Sequence, residues 1–345
     1  MAIEATVGEP GYPPAVIAID VGGSSIKAAL VTSDSAMPAT RRAVTPQADE
    51  TALVNAVVAV ARELAHVAER GGTPALAIGV AAAGIIDEVG GVARQGANLR
   101  WRDTALSERI EAGTGIPTTL MQDARAAAQG ESIFGAGRGA DSFVSVILGT
   151  GVGSAVVVDG RPLRGAHGLA GEIGHLRVDP NGLPCGCGGR GCVETVASAA
   201  ALSRRFESAT GERLPAEEVL RRAAGGDPLA GRLWSEAVLA LADALAAVVA
   251  VVDCGLVVVG GGMAAAGPQL LDQLRPELAR RLTLSPPPAL ALAVLGNSAG
   301  VLGAAAGALG LLGRDDVIRA WRELPAPAAA VRDPFGVEGS RPARA

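Results

Sequence analysis

Short unbroken apolar runs alternate with stretches of helical spacing along this chain. Residues 15–19 (Ala-Val-Ile-Ala-Ile) read as a buried strand, 20–25 as a glycine-bearing bend and 26–31 as the returning strand. Over 51–70, Leu53, Val57, Val60, Leu64 and Val67 recur at three and four residues, the period of an amphipathic helix, and Gly71 ends it. A strand is expected at 75–80, a short helix at 104–112 stopped by Gly113, a strand at 118–121, and a helix at 124–134 opened by Asp123. Strands alternating with helices predict an α/β protein with a mostly parallel sheet.

The pattern then starts again. Residues 142–148 form a strand, 149–153 a glycine-rich bend and 154–159 a second strand, repeating the opening of the chain. Two halves that begin alike predict a duplicated α/β unit with a crevice between the copies. A long Ala/Val/Leu helix is expected at 229–252, a strand at 256–259 running into Gly260-Gly-Gly262, a proline loop at 284–288 and a small-residue helix at 299–312.

The chain has 345 residues, enough for two domains of ordinary size. Hydrophobic residues make up 49% but aromatics only 2%, so the core must be built from Ala, Val, Leu and Ile. Glycine, 47 of 345, is about twice its usual share of ~7%, and no Gly-X-Y period accompanies it, which excludes collagen. The net charge of −5 carries no basic footprint for nucleic acid. No signal peptide is evident, because residues 1–14 are polar, rich in Gly and Pro and without a basic or apolar region, and no membrane segment, because the apolar stretch 237–259 is interrupted by Asp243 and Asp253. A cytoplasmic protein is expected, with no nucleic-acid or membrane partner.

Three glycine bends each follow an apolar strand, at 20–23, 149–153 and 260–262. Bends at the carboxyl ends of strands are where α/β proteins bind ligands, and glycine lets backbone N–H groups approach phosphate oxygens. No P-loop is present, so any phosphate cradle is of another kind. Asp20, beside Gly22 and Gly23, suits a hydrated Mg²⁺, although an Asx turn would use the same residue. Lys27, the only lysine, either reaches phosphate or lies in solvent. Asp123 is either a helix N-cap or a general base.

The sharpest constellation is Gly171-Glu-Ile-Gly-His175 followed by Cys185-Gly-Cys-Gly-Gly-Arg-Gly-Cys192-Val-Glu194. Three thiolates and an imidazole make a closed tetrahedral Zn²⁺ site, structural because no coordination position stays open. A Cys185–Cys187 disulfide would be cramped and would leave one thiol over. Glu172 and Glu194 flank the loop and would be fixed by its folding, which suits hydrogen bonds to sugar hydroxyls. Cys254 reads as a small core residue, and His66 and His167 as non-catalytic.

These motifs resemble the ROK family of sugar kinases and sugar-responsive repressors. The resemblance rests on Asp20-Val-Gly-Gly-Ser-Ser-Ile-Lys27, Gln122-Asp123-Ala124, Leu148-Gly-Thr-Gly-Val-Gly153, the two zinc-site segments and Val259-Gly-Gly-Gly262, in the family's order over residues 15–310. It implies the actin-like, hexokinase-type fold of two RNase H-like domains with a zinc-binding loop. It further implies ATP-dependent phosphoryl transfer to a hexose, usually at the 6-hydroxyl, most simply a glucokinase. Asp123 would be the base, and Gly84, Gln122, Glu172, His175 and Glu194 would meet the sugar. His175 would ligate zinc with one ring nitrogen and face the sugar with the other. Asp20, Gly22, Gly23, Ser24, Lys27, Gly149, Thr150 and Gly151 would serve the phosphates and Mg²⁺, with Gly261 and Gly262 near the adenosine.

Two departures stand out. Gln122 replaces the family's usual Asn, one methylene shorter, which bears on the choice of sugar, and Ser24 replaces a Thr. The family offers an N-acylhexosamine kinase, a polyphosphate donor or a sugar-sensing regulator as alternatives, and implies a homodimer or homotetramer. Only 14 residues precede the first strand, too few for a helix-turn-helix. The expected organisation is a small domain over 15–122 completed by the C-terminal helix at 299–322, a large domain over 123–298 with the zinc loop at 175–192, and disordered tails at 1–14 and 324–345.

Overall fold

A computed structural model describes residues 15–96, 99–324, 334 and 335. The chain divides into two compact units, one of residues up to 134 together with 297 onward, the other of 135–296. The tails at 1–14 and beyond 324 lie outside the described residues, except for Pro334 and Phe335. Phe335 is buried, and its carbonyl accepts from Arg42 Nη1 at 3.2 Å.

The first unit holds strands β1 (Ala15–Val21), β2 (Ser25–Thr32), β3 (Ala39–Val44), β4 (Ala75–Ala82) and β8 (Thr118–Gln122) in one sheet of order β3-β2-β1-β4-β8. Between β4 and β8 the chain forms a three-stranded sheet of β5 (Ile85–Asp87), β6 (Val92–Gln95) and β7 (Arg102–Thr104). Helices α1 (Glu50–Arg70), α2 (Leu106–Thr114), α3 (Asp123–Phe134), α9 (Ala299–Leu311) and α10 (Asp315–Glu323) complete the unit. The second unit holds β9 (Phe143–Leu148), β10 (Val152–Val158), β11 (Arg161–Pro162), β12 (Leu256–Gly260) and β13 (Ala289–Leu292), ordered β11-β10-β9-β12-β13. Its helices are α4 (Glu194–Ala197), α5 (Ala199–Thr210), α6 (Ala216–Ala224), α7 (Pro228–Val252) and α8 (Pro268–Arg281).

The two large sheets share one topology. In each, the first three strands run antiparallel, the fourth joins the first strand in parallel, and the fifth joins the fourth in parallel. The sheets are therefore mixed rather than mostly parallel. Tight glycine bends can only return a chain antiparallel, whereas a helical crossover is needed to make a parallel neighbour. This repeated, mixed sheet is the duplicated actin-like, hexokinase-type fold.

In the first sheet the pleat sorts residues to two faces. Ile17, Ile19 and Val21 of β1 join the core shared with Leu53, Val57 and Leu64 of α1. Asp49 caps that helix, its Oδ1 accepting from Ala52 N–H at 2.7 Å. The opposite face meets α9 so closely that backbone touches backbone. A Cβ on Gly79 of β4 would lie 1.8 Å from the Ala304 carbonyl oxygen, and one on Gly303 would lie 1.8 Å from that of Ala126 in α3. Helix α3 thus belongs with the first unit, and the division of the chain falls after Phe134, not before Asp123. Trp321 of α10 closes this side, stacking 5.3 Å from Phe134 and donating Nε1–H to the Ser33 carbonyl.

Two expectations shift. Helix α2 starts two residues later than the apolar spacing suggests because residues 102–104 form β7, and it ends at Gly115, whose φ of 73° is left-handed. Gly113 is instead a packing residue, since a Cβ there would meet Val58 of α1 at 2.6 Å. Helices α1 and α7 are long and apolar enough to cross a membrane by length and composition. Both bury apolar residues in the core of their own unit.

Gly303→Ala is expected to lower stability by about 3 kcal/mol, because a backbone carbonyl cannot yield to the new methyl group. Gly310→Ala, on the same helix with nothing within 4 Å, is expected to raise it by about 0.5 kcal/mol through helix propensity. Urea unfolding of the two variants checks the contrast.

Candidate active site

In the first unit, the carboxyl ends of the parallel strands β1, β4 and β8 bring Asp20, Gly84 and Asp123 to one edge of the sheet. Asp20 pairs across the hairpin with Lys27, whose Nζ lies 3.6 Å from its Oδ2. Each side chain is 17% exposed. Burial pushes the Asp20 carboxyl above its ordinary range, and the Lys27 charge only partly offsets this. On the other side stands the start of α9, where a Cβ on Gly300 would lie 3.0 Å from Asp20 Cγ. A cramped, partly desolvated carboxylate of this kind favours further positive charge.

The bend after Asp20 is held by its carbonyls. Gly22 O accepts from Thr45 Oγ1 at 2.7 Å, Gly23 O from Gln47 Nε2 at 2.8 Å and Ser24 O from Thr45 N–H at 3.1 Å. The N–H groups of Gly23 and Ser24 find no acceptor among the described residues. Gly22 N–H closes the bend on the Ser25 carbonyl at 3.1 Å, and a bend anchored in this way with two amides unused is a cradle for anionic oxygens.

Asp123 is the first residue of α3 and half-buried, and its Oδ1 accepts from the next amide, Ala124 N–H, at 2.8 Å. Gln122 before it is buried, and its Oε1 accepts from Arg125 N–H at 2.9 Å, so Gln122 caps the helix. Arg125 is itself buried, and its Nε donates to Glu88 Oε1 at 2.8 Å. The same Glu88 oxygen accepts from Gln122 N–H at 2.9 Å. Gly84 has φ 115°, and a Cβ there would lie 2.2 Å from the Gln95 carbonyl oxygen, so only glycine fits this corner.

In the second unit, Gly149, Thr150 and Gly151 turn the chain between β9 and β10, with Gly149 O accepting from Ala199 N–H at 2.9 Å. Gly261, at φ 89°, packs on the end of β9, where its Cβ would lie 2.4 Å from Leu148 O. The bends at 149–151 and 260–262 are therefore neighbours. Beside Gly262 opens a cavity of about 660 Å³, lined among others by Glu217, Arg221, Trp234 and Gln269. Sequence patterning gave no sign of this cavity, because its walls come from α6, α7 and α8.

The zinc-loop residues converge. His175 Nδ1 lies 3.6 Å from Cys185 Sγ, Cys187 Sγ lies 3.8 Å from Cys192 Sγ, and all four donor atoms fall within 4.8 Å of one another. A tetrahedron with Zn–S of about 2.3 Å and Zn–N of about 2.0 Å has edges of about 3.6–3.8 Å. The donor set therefore fits a zinc ion in size and in chemistry, and none of the cysteines is in a disulfide. Without a cation the thiols work against one another. Burial, and then the Cys185 and Cys187 sulfurs, push the Cys192 thiol up to about 12, while Gly189 N–H lowers that of Cys187. Glycines shape the knuckle, most tightly Gly191 at φ 70°, where a Cβ would collide with Asp179 O.

Glu194 follows the last cysteine by two residues, and its Oε2 accepts from Val152 N–H at 2.9 Å. Gly151 leaves room for it, since a Cβ there would lie 2.4 Å from the same oxygen. Glu172 precedes a short 3₁₀ turn, Ile173–His175, pinned to β10 through Ser154 Oγ, which accepts from Ile173 N–H and donates to Gly171 O. The zinc loop, Glu172 and the bend at 149–151 are thus tied into one corner of the unit.

The sequence profile of the ROK family matches residues 16–310. The chain belongs to the ROK family. The ROK chain is 34% identical over 309 residues to a glucokinase of Streptomyces coelicolor, covering 84% of this chain and 96% of that one. It is 36% identical over 291 residues to an N-acetylmannosamine kinase of Citrobacter koseri, covering 84% and 97%. Among solved structures it aligns with a ROK family glucokinase from Streptomyces griseus, in complex with glucose and AMPPNP, at a TM-score of 0.74 and 32% identity, covering 86% and 99%. This ROK protein is a sugar kinase.

Two sequence-derived residues occupy positions within this ROK kinase that spacing could not foretell. Gln122 turns its carbonyl oxygen to a helix amide, and Lys27 is engaged by Asp20. Glu88 and Arg125 were not expected at all.

Purified full-length protein is expected to carry one zinc per chain by elemental analysis. Cys187→Ala is expected to lower this at least tenfold, because three donors no longer close the tetrahedron.

Proposed function

We propose that this ROK sugar kinase is a glucokinase that transfers the γ-phosphoryl group of ATP to the 6-hydroxyl of glucose. The observation that carries this reading is Asp123, a half-buried carboxylate at the first turn of α3 beside the Gly84 corner. A carboxylate fixed at a helix start is well placed to take the hydroxyl proton as the sugar oxygen bonds to phosphorus and the bond to the β-phosphate oxygen breaks. The likeness to a Streptomyces glucokinase, and to a structure holding glucose and AMPPNP, supports the substrate pair.

In this reading Gly84, Glu172, Glu194 and His175 hold the sugar, His175 through Nε2 because Nδ1 joins the thiols. Backbone amides at Gly23, Ser24, Thr150 and Gly151 receive phosphate oxygens in bends that Gly22 and Gly149 close by donating to the Ser25 and Gly151 carbonyls, with Lys27 nearby, and Gly261 and Gly262 border the adenosine. Asp20 holds Mg²⁺, which when bound neutralises charge on the transferring phosphates. Zinc at His175, Cys185, Cys187 and Cys192 fixes the loop that carries Glu194. The enzyme acts in the cytoplasm as a homodimer or homotetramer, without nucleic-acid or membrane partners. The 36% identity to an N-acetylmannosamine kinase supports a second reading in which the acceptor is an N-acylhexosamine.

A panel of hexoses and N-acylhexosamines, with ADP release measured under ATP and phosphorylation under polyphosphate, separates these readings. Glucose with ATP is expected to give the highest kcat/KM, and turnover confined to an N-acylhexosamine would replace the first reading with the second. Asp123→Asn is expected to lower kcat about 10³-fold with glucose binding retained by calorimetry. Unchanged turnover in that variant removes Asp123 as the base.

A further inference from the structure

We infer that Glu88 and Arg125 are positioning residues for phosphoryl transfer, a buried ion pair that sets the place of the Asp123 carboxylate. The inference rests on Asp123 serving as the base. Three hydrogen bonds form a closed ring around that residue. Glu88 Oε1 accepts from the main chain of Gln122 at 2.9 Å and from Arg125 Nε at 2.8 Å, and Gln122 Oε1 accepts from the main chain of Arg125 at 2.9 Å. Asp123 lies inside this ring, one residue after Gln122 and two before Arg125.

Helix capping alone does not explain the arrangement. Gln is not among the residues favoured at an N-cap, where Ser, Thr, Asp and Asn lead. Its longer side chain can cap only if its own backbone is held, and the Glu88 oxygen holds it. A cation in the first turn of a helix is also opposed by the helix dipole. Arg125 is nonetheless there, with its side chain only 2% exposed and Glu88 at 15%. Two opposing penalties, dipole and desolvation, are accepted in order to place this charge two residues from the carboxylate.

The ring also reaches the sugar side. Glu88 follows β5 directly, and β5 begins one residue after Gly84. Glu88 therefore ties the Gly84 corner to the start of α3, across 34 residues of sequence to Gln122 and 37 to Arg125. Displacement of a reacting group by about 1 Å costs on the order of 100-fold in rate, so a brace that fixes this separation acts on kcat.

The test uses the full-length enzyme with glucose and ATP. Glu88→Ala is expected to lower kcat about 30-fold, with KM for ATP and the calorimetric Kd for glucose each within threefold of the parent. Glu88→Gln, which keeps the shared acceptor, is expected to restore kcat to within fivefold of the parent. The double variant Glu88→Leu/Arg125→Leu leaves no unpaired charge, so its thermal stability is expected to return while its kcat stays about 30-fold down. A double variant with kcat within threefold of the parent would show that the pair serves stability alone, and would overturn the inference. So would a Glu88→Ala enzyme with parental kcat when Asp123→Asn has lost turnover. Retained turnover in Asp123→Asn is a different failure, of the base itself.

Discussion

At three points helix α9 meets its neighbours backbone to backbone, with no side chain between them. Gly79, Gly303 and Gly130 remove the methyl groups that would otherwise strike the carbonyls of Ala304, Ala126 and Ala299. The helix, almost wholly Ala, Gly, Val and Leu, is apolar on every side and buried between the sheet and α3. This contact fixes the position of α3 against the strand ends, and with it Asp123. It also brings Gly300 against the Asp20 carboxylate. The spacing of the first unit's functional groups is therefore set by backbone approach, and interiors packed this tightly transmit small misfits instead of absorbing them.

The second unit solves the same problem by cross-linking. Its bend at 149–151 is held by Ala199 N–H on one side and by Glu194 on the other. Glu194 lies two residues and Ala199 seven residues after the last cysteine of the Cys3His cluster. A glycine at 151 lets the carboxylate approach, so the loop that gathers the thiols also shapes the neighbouring bend.

Much of this was legible in sequence, for identifiable reasons. Buried strands such as β1 and β9 announce themselves as unbroken apolar runs, and α1 as an apolar stripe ended by Gly71. The glycine bends and the cysteine cluster are local patterns, readable because their spacing is their chemistry. Edge strand β3, Ala-Thr-Arg-Arg-Ala-Val, is mostly half-buried and carries no apolar/polar alternation to read. Strands β5 to β7 are three or four residues long, below the length at which periodicity has meaning. The Glu88–Arg125 pair joins residues 37 apart, and nothing in either neighbourhood points to the other. The cap formed by Gln122 was hidden for a different reason: the sequence names the residue but not the direction of its amide.

The first unit is assembled from two separated stretches of chain, with the whole of the second inserted between Phe134 and Asn297. On a ribosome this imposes an order of events. The inserted stretch is complete and can collapse on its own sequence while the earlier strands still lack the helix that covers their far face. Those strands must wait through the synthesis of some 160 further residues before α9 emerges. The exposed sheet is during that interval a surface for chaperones, and truncation anywhere before residue 299 would leave it bare.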